Sequence, residues 1–165
     1  MFRDLSASIA ANPPAMGYGV AAFDATGDGH PAFLVSGYGF PARILVWEDG
    51  RLVDQFVEAL YDPNQKTLGV AAGDVDGDGR EEFYLVGADT FTGYGAQPDR
   101  CFALREGVWT DLFALPRNIE FANAWSGRSV CAVDTDGDGR YAFWVANHGG
   151  PMRLTVWSDD DRLVD

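Results

Sequence analysis

The stretch Gly69-Val-Ala-Ala-Gly-Asp74-Val-Asp76-Gly-Asp78-Gly79, running straight into Arg80-Glu-Glu82-Phe-Tyr-Leu-Val-Gly87, sets an acidic, glycine-rich turn between two short apolar runs. The arrangement occurs twice more. One copy is Gly19-Val-Ala-Ala-Phe-Asp24-Ala-Thr26-Gly-Asp28-Gly29, the other Ser129-Val-Cys131-Ala-Val-Asp134-Thr-Asp136-Gly-Asp138-Gly139. Asp24 to Asp74 is 50 residues and Asp74 to Asp134 is 60. Self-similarity at such a period marks a repeat architecture, in which each unit buries its apolar faces only against its neighbours.

Further runs recur around each copy. Apolar runs follow the turn at 32–36, 82–87 and 141–146, a second set lies at 43–47, 100–104 and 153–157, and a fourth run begins at Leu52, Val108 and Leu163. All are short, rich in Val, Phe, Trp and Leu, and bounded by Gly, Asp or Pro. That is a strand pattern, and no stretch keeps a 3.6-residue period. Asp49-Gly50 and Glu106-Gly107 fall where tight hairpins need residues tolerant of positive φ. Four strands per unit predict an all-β fold: a β-propeller segment of about three four-stranded antiparallel blades. First strands rich in small residues suit crowding about a central axis. Middle strands such as Phe83-Tyr-Leu-Val86 are apolar on both faces, as stacked blades require.

Phe2-Arg-Asp4-Leu5 occupies the place of Leu52-Val-Asp54-Gln55 and Trp109-Thr-Asp111-Leu112. Asp4 precedes Asp24 by 20 residues, Asp54 precedes Asp74 by 20, and Asp111 precedes Asp134 by 23. The chain is therefore expected to open on an outer strand, within one domain, 1–165, whose repeat units run about 2–51, 52–108 and 109–162. Propellers close with about 4–8 blades. Three ways to meet that requirement stay open: a fragment of a longer propeller, a homo-oligomer, or an open module.

Composition narrows the function. Of 165 residues, 47% are hydrophobic and 22% charged, which sustains a core and excludes disorder. Acidic residues number 25 against 12 basic, a net charge of −13. That charge repels phosphate backbones and anionic lipid, so neither nucleic acid nor a membrane is an expected partner. No apolar run approaches the ~20 residues that span a bilayer, and no signal peptide is visible at the start. Cys101 and Cys131 are too few for a disulfide framework or thiolate zinc site, and are expected to be buried free thiols.

The chemistry sits in the acidic turns. Asp-x-Asp-x-Asp-Gly brings three carboxylates to one side of a tight loop, where a hard cation relieves their repulsion. Oxygen-only ligands favour calcium over zinc or copper. An EF-hand would need a Glu at the twelfth position, but Val35, Leu85 and Val145 stand there, each inside an apolar run.

Asp-x-Asp-Gly-Asp-Gly between short strands, preceded by Gly-Val-Ala-Ala, resembles the FG-GAP or VCBS repeat of integrin α-like propellers. With the upstream Phe-x-Asp segment, the chain is more similar to the cartilage acidic protein group. The resemblance covers nearly the whole chain. It implies that the first, third, fifth and ninth side chains and the seventh carbonyl of each loop bind Ca2+. In the second loop these are Asp74, Asp76, Asp78, the Arg80 carbonyl and Glu82. The third loop has Asp134, Asp136, Asp138 and the Arg140 carbonyl, with Ala142 at the ninth position. The first has Asp24, Thr26, Asp28 and the His30 carbonyl, with Ala32 at the ninth. Counting carboxylates, calcium affinity is expected to fall from second to third to first. The resemblance also implies an extracellular or periplasmic setting.

No catalytic constellation stands out. His30 and His148 lack a nucleophile partner at a telling spacing, and Asp89, Asp99 and Glu120 are weak candidates for an active site. Aromatics gather on the loops opposite the acidic turns: Tyr38, Tyr94, Tyr18, Tyr61 and Trp125. The expected function is a calcium-binding, non-enzymatic propeller module that binds a protein or carbohydrate. The alternatives are a lectin with sugar sites on the loop face, or the propeller domain of a secreted polysaccharide-active enzyme.

Overall fold

The computed structural model describes residues 2–88, 97–160 and 162–165. The β-branched and aromatic runs form twelve strands among these residues, joined mostly by turns. Strands β1 (Val20–Phe23), β2 (Ala32–Val35), β3 (Arg43–Glu48) and β4 (Arg51–Gln55) make the first sheet. The second holds β5 (Thr67–Gly73), β6 (Glu82–Gly87), β7 (Arg100–Arg105) and β8 (Val108–Asp111). The third holds β9 (Gly127–Val133), β10 (Ala142–Asn147), β11 (Arg153–Ser158) and β12 (Arg162–Val164). Every sheet is antiparallel with its strands in sequence order. The helical content of the described residues is confined to 3-10 turns, among them Leu112–Ala114, where the Asp111 side chain accepts the Phe113 amide.

Sequential order follows from the turns. Asp49 and Gly50 have φ of 48° and 80°, and Glu106 and Gly107 of 50° and 79°, the left-handed geometry of a two-residue hairpin. A connection that short can only pair a strand with its immediate predecessor. The runs at 52–55 and 108–111 therefore close the sheet before them, pairing as Trp47↔Leu52 and Leu104↔Trp109. The sheets group the chain as 20–55, 67–111 and 127–164, which corrects the shifted grouping of 52–108 and 109–162. The expected opening strand is corrected as well. Residues 2–5 form no strand, Phe2 is fully exposed, and the Asp4 carboxylate accepts the Ser6 amide at 2.8 Å to start a 3-10 turn instead. Ile9 meets the sheet edge in a parallel bridge to Leu52, and the Ala10 amide donates to the Leu52 carbonyl at 2.9 Å.

The core lies between sheets. Side chains of a strand alternate in direction, and all of β6 is buried, so it serves two interfaces at once. Phe83 and Leu85 pack with Phe23, Leu34 and Ile44 of the first sheet. Tyr84 and Val86 pack with Phe143 and Val145 of the third. Ring contacts bridge both seams: Phe23–Phe83 centroids are 5.4 Å apart and Tyr84–Phe143 centroids 5.2 Å. Each such side chain contributes about 1.5–3 kcal/mol on burial. The outward faces of the first and third sheets carry exposed Val20, Trp47 and Trp144. Cys131 pairs with Trp144 on that outward face and is exposed, which corrects its expected burial; Cys101 is buried, and both thiols are free.

First strands approach one another closely, β5 lying against both β1 and β9. A Cβ at Gly19 would come within 2.9 Å of the Leu68 carbonyl oxygen, and one at Gly69 within 3.2 Å of Ser129 Cα. Gly19→Ala is therefore expected to wedge the first two sheets apart, at a cost of about 1–3 kcal/mol. In urea melts the midpoint should fall with an unchanged slope; an unaltered midpoint would show that the seam is not close-packed at β1.

Candidate metal centre

Each acidic turn joins the first two strands of its sheet, so all three lie at one end of the stack. Their first aspartate builds the loop. Asp74 accepts the amides of Gly77 (2.7 Å), Asp78 (3.1 Å) and Gly79 (2.8 Å). Asp24 takes those of Thr26, Gly27, Asp28 and Gly29, and Asp134 those of Gly137 and Gly139. Positive φ at Gly77 (78°) and Gly79 (85°) turns these amides inward, a backbone shape open to glycine. Desolvation opposes ionisation of Asp24 and Asp134, but the converging amides prevail and hold both below the ordinary carboxylate range.

The fold brings the carboxylates together in two of the three loops. Asp74, Asp76 and Asp78 present oxygens all within 4.8 Å of one another, and so do Asp134, Asp136 and Asp138. Oxygens that share a calcium at about 2.3–2.6 Å lie at most ~5 Å apart, so both triads fit this ion by spacing and by donor chemistry. The first loop offers only Asp24 and Asp28, and Asp28 is engaged by His30, whose Nδ1 lies 3.2 Å from Asp28 Oδ1. The His30 amide, with smaller help from Thr26, holds the Asp28 carboxyl low against desolvation. Thr26 is exposed.

Around the triads the loops differ. In the second, Glu82 is 1% exposed and accepts the Val75 amide at 3.0 Å. Burial, reinforced by the Asp76 charge, pushes it up to about 8. Arg80 bonds Asp78, and the resulting charge-assisted contact holds the Asp78 carboxyl low. Arg105, at the end of β7, bonds Asp76 and Asp78 from the other side. In the third, Ala142 stands at the ninth position, but Asp159 of the β11–β12 hairpin lines the same recess as Asp136 and Asp138. Arg140 Nε lies 3.4 Å from Asp138. Motif spacing missed Arg105 and Asp159. Their only sequence signal is strand register, which sets the third-strand hairpin beside the acidic turn.

Successive loops are also tied together. The Asp24 carbonyl accepts the Glu81 amide at 2.9 Å, and the Asp74 carbonyl accepts the Tyr141 amide at 2.8 Å.

At the opposite end, the second-to-third strand loops meet the connections between sheets. Gly39 N donates to the Gln65 carbonyl, and His148 N to that of Ser126. The aromatics there form separate clusters: Tyr18 with Tyr38 (5.5 Å), and Phe56 with Tyr61 (5.9 Å). Trp125 packs on the Gly150 backbone, where a Cβ would come within 2.4 Å of the ring. Asp89 and Tyr94 lie outside the described residues. Asp99 is 1% exposed and accepts from Tyr84 Oη (2.8 Å), Gly87 N (2.7 Å) and Asn123 Nδ2 (2.8 Å), while Glu120 is exposed in a separate 3-10 turn. The two acids are thus differently employed, Asp99 as a brace between sheets.

No protein-family model matches the chain. It is 41% identical over 159 residues to cartilage acidic protein 1 of Xenopus tropicalis, covering 87% of this chain and 25% of that protein. It is 36% identical over 149 residues to cartilage acidic protein 1 of Homo sapiens, covering 83% of this chain and 22% of that protein. The chain thus spans about a quarter of the length of the curated relatives it matches.

Burial raises Asp99 to about 7 despite its three hydrogen bonds. A carboxyl raised on folding keeps its proton in the folded chain after the unfolded chain has lost it. Its contribution therefore falls as pH rises from about 4 to about 7, by up to about 1.4 kcal/mol per pH unit. Asp99→Asn should remove about one proton's share of that slope, read from urea melts across this range. An identical slope in the variant would show that Asp99 does not titrate there.

Proposed function

We propose that the chain is a calcium-stabilised, non-enzymatic interaction module, a segment of a β-propeller with its acidic loops at one end and a ligand-binding loop surface at the other. The observation that carries the reading is the third loop: Asp134, Asp136 and Asp138 converge within 4.8 Å on a turn already shaped by its own amides. Three repeated four-stranded sheets, stacked through their first strands, support the propeller reading. Asp136, Asp138 and Asp159 give the third loop side-chain oxygens, and the Arg140 carbonyl completes the donor set that the family resemblance implies.

Relatives named for cartilage support an extracellular setting, where calcium suits sites of ~10⁻⁴–10⁻³ M. The exposed aromatics Tyr18 and Tyr61 at the other end fit a protein or carbohydrate ligand. Engagement of Asp99 as a buried brace supports binding over catalysis.

The test is a pair of melting curves, in calcium and in chelator. A cation that binds only the folded chain stabilises it by about 2.7 kcal/mol at a hundred times its dissociation constant. Calcium should raise the melting temperature of the wild type. Asp136→Asn should lose much of that rise, and Thr26→Ala little. Equal melting of the wild type in calcium and chelator would make the loops plain acidic turns.

A further inference from the structure

The second loop contains a cation of its own. Arg105 donates from Nη1 to Asp78 Oδ2 at 3.1 Å and from Nη2 to Asp76 Oδ2, and its Nη2 lies 4.0 Å from Glu82 Oε1. The guanidinium carbon stands 5.8 Å from the Trp157 ring centroid, so the third sheet closes over it. A guanidinium presents several donors in a rigid planar fork, suited to carboxylates that converge from different directions.

This arrangement belongs to the second unit alone. By register, Phe102 aligns with Leu45 and Thr155, each opposite the equivalent phenylalanine of its sheet: Phe83, Phe33 and Phe143. Three residues on, Arg105 therefore corresponds to Glu48 in the first unit and Ser158 in the third. Glu82 corresponds to Ala32 and Ala142. The buried extra acid and the arginine occur together, and both are missing from the other loops. Without a cation, Asp76, its side chain only 8% exposed, would be left with its charge unpaired beside Asp78 and the buried acid Glu82. Leaving such charges buried and unpaired is costly.

We propose that Arg105 is the resident cation of the second loop, holding Asp76, Asp78 and Glu82 together so that calcium must displace it, which makes the third loop the stronger calcium site. The second half rests on the reading that these loops take calcium; the first does not. Calcium would need Asp76 and Asp78 oxygens at about 2.3–2.6 Å, and those are the oxygens Arg105 engages. The ranking by carboxylate count, with the second loop first, is thereby inverted.

The test uses the full chain with Asp136→Asn to silence the third loop, so that calorimetric calcium titration reads the second. Replacing Arg105 by Ser, its counterpart in the third unit, should tighten calcium binding there by about tenfold or more and lower the melting temperature in chelator. Arg105→Lys, which keeps the charge but loses the fork, should fall between. Should Arg105→Ser fold too poorly to titrate, Glu82→Ala added to it removes the acid that needs the arginine and should restore stability in chelator. Unchanged melting in chelator together with unchanged second-loop affinity would overturn the proposal. Lost chelator stability with no calcium binding in any variant, Asp136 intact or not, would leave the guanidinium as the loop's cation and overturn the calcium reading instead.

Discussion

The structure depends on one constraint: the second sheet must be dry on both faces. Pleating sends Phe83 and Leu85 one way and Tyr84 and Val86 the other, so β6 completes two cores from one strand. Neither core exists without the neighbouring sheet. The first strands set how near those neighbours come, which is why Gly19 and Gly69 occupy the seams. A short unit of four strands cannot bury its own faces and becomes stable by being stacked.

The seams extend from the cores into the acidic loops. Each of the first two loops gives its first carbonyl to the amide at the eighth position of the next loop: Asp24 to Glu81, Asp74 to Tyr141. The corresponding residue of the first loop is Pro31, which has no N–H to offer. Ser129 likewise stands in the third unit where glycine opens the other two seams. A sheet laid on either outer face in the same register would lack the amide at Pro31 or meet the Ser129 side chain. The two internal seams are therefore chemically distinct from the outer faces.

Electrostatics divides labour within each loop. The first aspartate organises the backbone by drawing in amides, and in the first and third loops those amides hold its carboxyl low against desolvation. The third and fifth aspartates meet Arg105 in the second loop and line a recess beside Asp159 in the third. Buried acids away from this scheme behave differently. Asp99 links β6, β7 and the connection at Asn123, and Asn123 reaches Asn147 of the third sheet at 2.9 Å, so polar bonds reinforce an apolar seam.

The sequence by itself determined the strands, their number per unit and the acidic turns between them. Those depend on local properties: Val, Phe and Trp in short runs, glycine where φ is positive, Asp-Gly and Glu-Gly at hairpins. It also carried the two-faced burial of β6, because an unbroken apolar run reveals it. Only the tertiary structure decided the grouping of residues 52–55 with the sheet before them, the loss of the strand foreseen at 2–5, and the exposure of Cys131. It alone set Arg105 beside Asp76, 29 positions earlier, and Asp159 beside Asp136. A motif records neighbours along the chain, whereas charge compensation acts through space. Residues brought together by strand register leave no spacing in the sequence to read.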